Sequence, residues 1–328
     1  MTASFLANLQ RAHAAPPAAE AAHARFAGDD GLLALRSRLF ADASPLMARG
    51  MRLHVLVDPV LVDPLEDAPG RERAVPLPLT AWHGDRTRTP YVLALGDIGR
   101  DEIIDKALDL AWAEATRHVD RETRGSTVCA LLACAPEHTA EVARSLAELS
   151  RRRAASQHQP FLRLWDPRVA ELLMPLLSAT ASRELTGGAE GWWTLDRRGD
   201  LVSHLAIDGA VRTDRDRAWQ SPAVADILAS AGAINGVLNA LQDAGVAPSR
   251  FPSTSTLRAL IARARSQWGL ADDFDLIQFA LHGVLVRADF DADPDVRAAM
   301  SEARARGESC LEALHSFDES HWEQGRHV

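Results

Sequence analysis

Lysine is almost missing from this chain. Lys106 is the only one among 36 basic residues, and the rest are arginine. That bias fits a GC-rich genome better than a dedicated phosphate site. Positive charge is also in deficit, with 45 acidic residues and a net charge of −9. A surface of that sign argues against a nucleic-acid binder held by bulk electrostatics. Cysteine is scarce: Cys129, Cys134 and Cys310 are too few and too scattered for a disulfide framework. The odd number fits a reducing cytoplasm. No run approaches 18 uncharged apolar residues, so no membrane span is expected. Residues 1–5 lack a basic start and a long apolar stretch follows nowhere near them, so no signal peptide is expected. Catalytic signatures are missing too. There is no H-E-x-x-H, G-x-S-x-G, Walker loop or G-x-G-x-x-G.

What is present is ample material for a core. Hydrophobic residues make up 47% of 328, enough for two domains or one large domain with a lobe. Leu32 to Phe40 predicts a helix closed by Gly50 at C′. Apolar runs at Met51–Val57, Tyr91–Leu95 and Thr127–Ala133 read as strands, the last as a buried central one. Val75 to Trp82 carries Pro76 and Pro78, which allow only an edge strand. Helical spacing marks about 101–119 and 137–155. Two further strands are expected around Arg198-Gly199. After residue 220 only helices are expected, the first along Val224, Ile227, Leu228, Ala231, Ile234, Leu238 and Leu241. The predicted class is a mixed α/β (α+β) domain with a small central sheet, followed by an all-α lobe. The expected divisions are 1–50, a helical segment; 51–209, the α/β domain; and 220–328, the helical lobe.

The stretch from Pro160 to Val169 organises the rest. Phe161 to Trp165 reads as a short strand. Asp166 suits an N-cap and Pro167 a first helical residue, where its missing N–H costs nothing. Val169, Leu172, Leu173, Leu176 and Leu177 continue at helical spacing until Pro175 kinks or ends the helix. As a cap, Asp166→Ala should cost about 0.5–2 kcal/mol, and Asp166→Asn should be nearly harmless.

Phe161-Leu162-Arg163-Leu164-Trp165-Asp166-Pro167-Arg168 resembles the FRFYDPR signature of domain of unknown function 4123. Leu164 stands where phenylalanine is usual, and Trp165 where tyrosine is usual. Val55 to Pro59, Pro90 to Leu95 and Gly191-Trp192-Trp193 resemble the family's other pieces, in its order, over roughly residues 50–205. Proteins of that family are adaptors, or chaperones, for type VI secretion effectors. The resemblance therefore implies a non-enzymatic cytoplasmic protein with no cofactor and two protein partners, a toxic effector and the VgrG spike. It implies neither nucleic acid nor membrane nor small-molecule ligand. By family analogy, cargo choice is assigned to the helical lobe.

Several residues could carry function. Arg163, Trp165, Asp166, Pro167 and Arg168 form the signature junction, either as a structural brace or as a partner contact. Arg163 is expected to stack on Phe161 and Trp165 or to pair with a carboxylate. If 191–195 is a strand, one of Trp192 and Trp193 faces outward, so Trp193 is a candidate anchor. Trp268, Phe279 and Trp322 are candidate anchors in the lobe, each also suited to a core. Asp58, Asp63, Glu66 and Asp67 form an acidic loop. They read as solvated, with a metal-dependent hydrolase as the alternative function. Cys129, Cys134 and His138 lack the pairing of a zinc site, so no metal is expected.

Overall fold

The structure, a computed structural model, describes residues 29–59, 63–79, 89–95, 102–116, 128–152, 162–204, 219, 221–309, 311–317 and 321–322. The helices expected within residues 1–28 lie outside these, as do Phe161 and most of the charged stretch 210–220. The chain forms two compact units, one within residues 22–225 and one from Asp226 onward.

The first unit is built on six antiparallel strands: β1 (Arg52–Val57), β2 (Val75–Pro76), β3 (Tyr91–Ala94), β4 (Val128–Cys134), β5 (Gly191–Leu195) and β6 (Leu201–Ser203). Their order across the sheet is β2-β3-β1-β4-β5-β6. The short proline-bearing β2 lies at an edge, where a missing donor disturbs no ladder. The apolar β4 lies between β1 and β5, as its composition predicts.

Helices cover both faces. Helix α1 (Asp29–Met47) and α2 (Glu102–Ala115) pack Leu39, Ala43, Ile104 and Leu108 onto Leu53, Val55, Leu93, Leu131 and Trp193. Helix α3 (Thr139–Arg152) packs Val142, Leu146 and Ala147 onto Leu56, Val92, Leu132 and Trp192. Because side chains alternate, Trp192 and Trp193 do point to opposite faces. Both faces are roofed, however, so neither indole reaches solvent. Trp193 is 0% exposed and offers a partner no surface. Gly191 is needed beneath it: a Cβ there would stand 2.4 Å from the Trp193 ring and 2.7 Å from Leu46.

Over the described residues 162–165 the predicted strand does not form. Leu162 and Arg163 are irregular, and Leu164 and Trp165 lie in a turn. Leu164 N–H donates back to the Leu162 carbonyl and Asp166 N–H to that of Arg163. These local bonds use the groups that a sheet ladder would need. The helix that follows, α4 (Pro167–Leu173), is capped by Asp166 as expected. It stops where Pro175 enters a 3-10 turn, Met174–Leu176. A second short helix, α5 (Ala179–Leu185), leads to β5.

The remaining helices are α6 (Pro222–Asp243), α7 (Thr254–Trp268), α8 (Asp273–Leu285) and α9 (Pro294–Ala305). Every predicted inward residue of α6 is buried except Leu228, which is half-buried. Of the described helices, only α6 is long and apolar enough to cross a membrane, and half of that window is buried inside the protein. Gly236 lets α6 approach α8, since a Cβ there would meet Ile277 at 2.2 Å. The cap Asp293 before Pro294 accepts from Asp295 and Val296 N–H, repeating the Asp166-Pro167 device.

Candidate functional site

The signature turn closes on the end of the first strand. Asp58 follows β1 and is 0% exposed. Its Oδ2 accepts from Arg163 Nε at 2.7 Å and from Trp165 Nε1 at 2.8 Å. Oδ1 of the same carboxylate is buried without a hydrogen-bond partner. One buried acid thus ties β1 to a turn more than a hundred residues later. The turn is also tied to α3, through Leu162 N–H on the Ser150 carbonyl and the Ser150 hydroxyl on the Leu162 carbonyl.

Asp166 accepts three hydrogen bonds from Arg168 and does two things with them. Its Oδ1 accepts from Arg168 N–H at 3.0 Å, which is the cap. The Arg168 guanidinium also grips it with two bonds, Nε at 2.9 Å and Nη2 at 2.7 Å. Such a two-pronged charged pair is stronger and more directional than a neutral bond. Asparagine at 166 would keep the cap but lose the charge, so it is not the harmless change that capping alone predicts. We expect Asp166→Ala to lower stability by about 2 kcal/mol and Asp166→Asn by about 1 kcal/mol. A urea-unfolding midpoint unchanged in the asparagine variant would show that the Arg168 pair contributes nothing.

A bulge places a thiol beside this cluster. In the β1–β4 ladder Leu56 pairs with Ala130 but Val57 pairs with Val128, leaving Cys129 as the extra residue. Bulges re-aim side chains in this way. Cys129 and Ala130 consequently share one face of the sheet with Trp165. Burial raises the Cys129 pKa well above that of an ordinary thiol, and the Asp58 charge adds to this. A thiol held protonated is a poor nucleophile.

Burial pushes the Asp58 pKa above the usual carboxylate range, over the opposition of Arg163 and Trp165. Burial acts the same way on Asp166, but the Arg168 bonds and charge, with Arg163, outweigh it and leave that pKa lowered. The two acids therefore differ because one has a bidentate partner and the other a single shared oxygen.

The acidic loop divides. Glu66 and Asp67 are exposed, as a solvated loop predicts, whereas Asp58 is fully buried and Asp63 is engaged. Asp63 accepts from the Tyr91 hydroxyl at 2.7 Å, Leu65 N–H at 3.0 Å and Arg71 Nε at 2.9 Å. The Arg71 guanidinium lies 3.8 Å from the Tyr91 ring centre. Among the described residues no three His, Cys, Asp or Glu side chains converge as a metal site.

His54, inside β1, is also buried. Its Nδ1 lies 2.9 Å from the Arg52 carbonyl oxygen and can only donate there. Nε2 lies 2.9 Å from the Thr139 hydroxyl, whose one proton is shared between this nitrogen and the Pro136 carbonyl, also at 2.9 Å. Burial lowers the His54 pKa below 6.5. The unfolded chain therefore binds a proton that the native state refuses, in the window from pH 6.5 down to the native value. Stability rises with pH in that window and falls as the solution is acidified. We expect His54→Gln to flatten the slope of unfolding free energy against pH by up to about 1.4 kcal/mol per unit below pH 6.5. Equal slopes for wild type and variant would contradict this.

The lobe candidates fall mostly in the core. Phe279 is fully buried against Phe290, with ring centres 4.8 Å apart. Trp268 is 7% exposed, and its Nε1 donates to Asp291 Oδ2 at 2.9 Å. Trp322 is half-buried in a small aromatic group with Phe317 and His321. Of the four tryptophan and phenylalanine anchors, only Trp322 keeps appreciable surface. Of the two fates expected for Arg163, stacking on rings or pairing with a carboxylate, the structure shows the pair, and the acid is Asp58, which the sequence did not single out as its partner. Comparison with protein-family models, with curated proteins and with solved structures found no match.

Proposed function

We propose that the protein is a non-enzymatic adaptor that binds a type VI secretion effector in the cytoplasm and presents it to the VgrG spike. The observation that carries this reading is the use to which the signature residues are put. Arg163, Trp165, Asp166 and Arg168 bond to Asp58 and to one another. They brace a strand–turn–helix junction, as a scaffold for protein binding requires. The rival reading, a metal-dependent hydrolase on the Asp58–Asp67 loop, needs carboxylates that can turn toward a metal. Asp58 is instead fully buried with Oδ2 committed to Arg163 and Trp165, and Asp63 commits both oxygens to Tyr91, Leu65 N–H and Arg71, which weighs against it. The helical lobe after residue 220 is assigned the choice of cargo.

The test is genetic and uses the full chain. Deleting the gene should remove one toxin from the secreted fraction while the spike is still exported, and a plasmid copy should restore the toxin. Unchanged export of every toxin in the deletion strain would overturn the proposal.

A further inference from the structure

Helix α9 carries Arg297, Ser301 and Arg304 on one face, four and three residues apart. Together with Gln267 and Trp268 at the end of α7 they line a pocket of about 620 Å3. Ligand sites span roughly 300–1,000 Å3, so the size suits a bound group. Arg297, Ser301, Arg304 and Gln267 are all exposed, so the pocket is open to solvent.

The charge in this pocket is unbalanced. Arg297 Nε lies 3.4 Å from the Asp291 carbonyl oxygen, and Arg304 Nη1 lies 3.2 Å from that of Gln267. Among the described residues neither guanidinium pairs with a carboxylate. Their neighbours do: Arg263 with Asp291, Arg287 with Asp289 and Asp293, and Arg306 with Glu308. The nearby Asp291 carboxylate is taken by Arg263 and the Trp268 indole, and it is 2% exposed. It therefore does not neutralise the pocket from within. In a chain of net charge −9, two open guanidinia on one concave wall make a local positive site.

We propose that this pocket binds the carboxylates of an acidic peptide segment on a protein partner. Planar guanidinium forks match carboxylates with two parallel bonds. Seven residues separate Arg297 and Arg304, about 10 Å along the helix axis. That spacing serves two carboxylates of one chain better than a single tetrahedral anion. Gln267 and Ser301 add an amide and a hydroxyl that suit peptide backbone groups. The role as cargo contact rests on the adaptor reading; the anion site itself does not.

The test is fluorescence anisotropy with full-length protein at low salt. The probe is a fluorescein-labelled peptide of six glutamates. Arg297→Gln and Arg304→Gln should each weaken binding about tenfold or more. Arg250→Gln removes the same charge from an exposed arginine elsewhere in the helical part, and binding should stay within about twofold of wild type if bulk attraction is not the cause. Both pocket arginines are exposed, so the variants should melt with wild type. Inorganic phosphate at the concentration of half-displacement by unlabelled peptide should displace little. Equal weakening by Arg250→Gln, no weakening by either pocket variant, or equal displacement by phosphate would each overturn the proposal. A failed secretion phenotype would sink the adaptor reading and leave this titration standing.

Discussion

Replacing Trp165 with alanine is expected to lower stability by about 3–5 kcal/mol, the range for deleting a large buried aromatic. The side chain is 1% exposed and packs with Leu56, Ala130, Leu132 and Trp192 on the α3 face of the sheet. Its indole also donates to Asp58 at 2.8 Å. Phenylalanine would keep most of the ring but leave Asp58 one donor short, a loss of about 1–3 kcal/mol. Tyrosine, usual at this position in the family the segment resembles, keeps both an aromatic body and a donor. The expected order of damage is alanine, then phenylalanine, then tyrosine, read from urea-unfolding midpoints at constant slope. A phenylalanine variant as stable as wild type would show that the Asp58 bond does not contribute.

The second large effect comes from the ion pair itself and is unequal in its two halves. Asp58→Ala strands Arg163, but that side chain is 30% exposed and can turn to water. The cost should be near the lower end for a broken pair, about 3 kcal/mol, and it includes the Trp165 indole N–H left without its acceptor. Arg163→Met strands Asp58, which is fully buried and already has one oxygen without a partner. At pH 7 this should cost more, about 3–5 kcal/mol. Acid should then relieve it. The folded pKa of Asp58 is raised, so the native state gains from protonation before the unfolded chain does. The penalty of Arg163→Met is therefore present above the folded pKa and shrinks as pH falls through it. Unfolding curves at pH 7 and pH 5 read the difference. A penalty that grows toward pH 5 would contradict the assignment of Asp58 as the stranded charge.

How far residues alone reached into this structure depended on whether the controlling contact was local. The cap at Asp166, the stop at Pro175 and the edge position of β2 follow from one residue's dihedral limits and donors, so they were legible. So was the inward face of α6, because its period repeats over 22 residues. The turn at 162–166 was not legible. Leu162, Leu164 and Trp165 are apolar in either conformation, and what decides between them is an acid about a hundred residues away. Trp193 was misjudged for a related reason. Alternation was read correctly, but a second helical layer over the sheet has no signature within the strand itself. The α9 pocket needed the end of α7 beside it, and only the folded helices show that pairing.

The central claim, that this chain binds and presents a toxin rather than performing chemistry, is tested most directly by co-purification. The full chain would be co-expressed with a type VI toxin and a VgrG spike of its own host and run on gel filtration. The account predicts co-elution of the chain with its toxin, capture of the spike by that complex, and no hydrolase activity of the purified chain with or without divalent metal. A chain that elutes apart from both proteins and turns over a substrate when metal is added would contradict it.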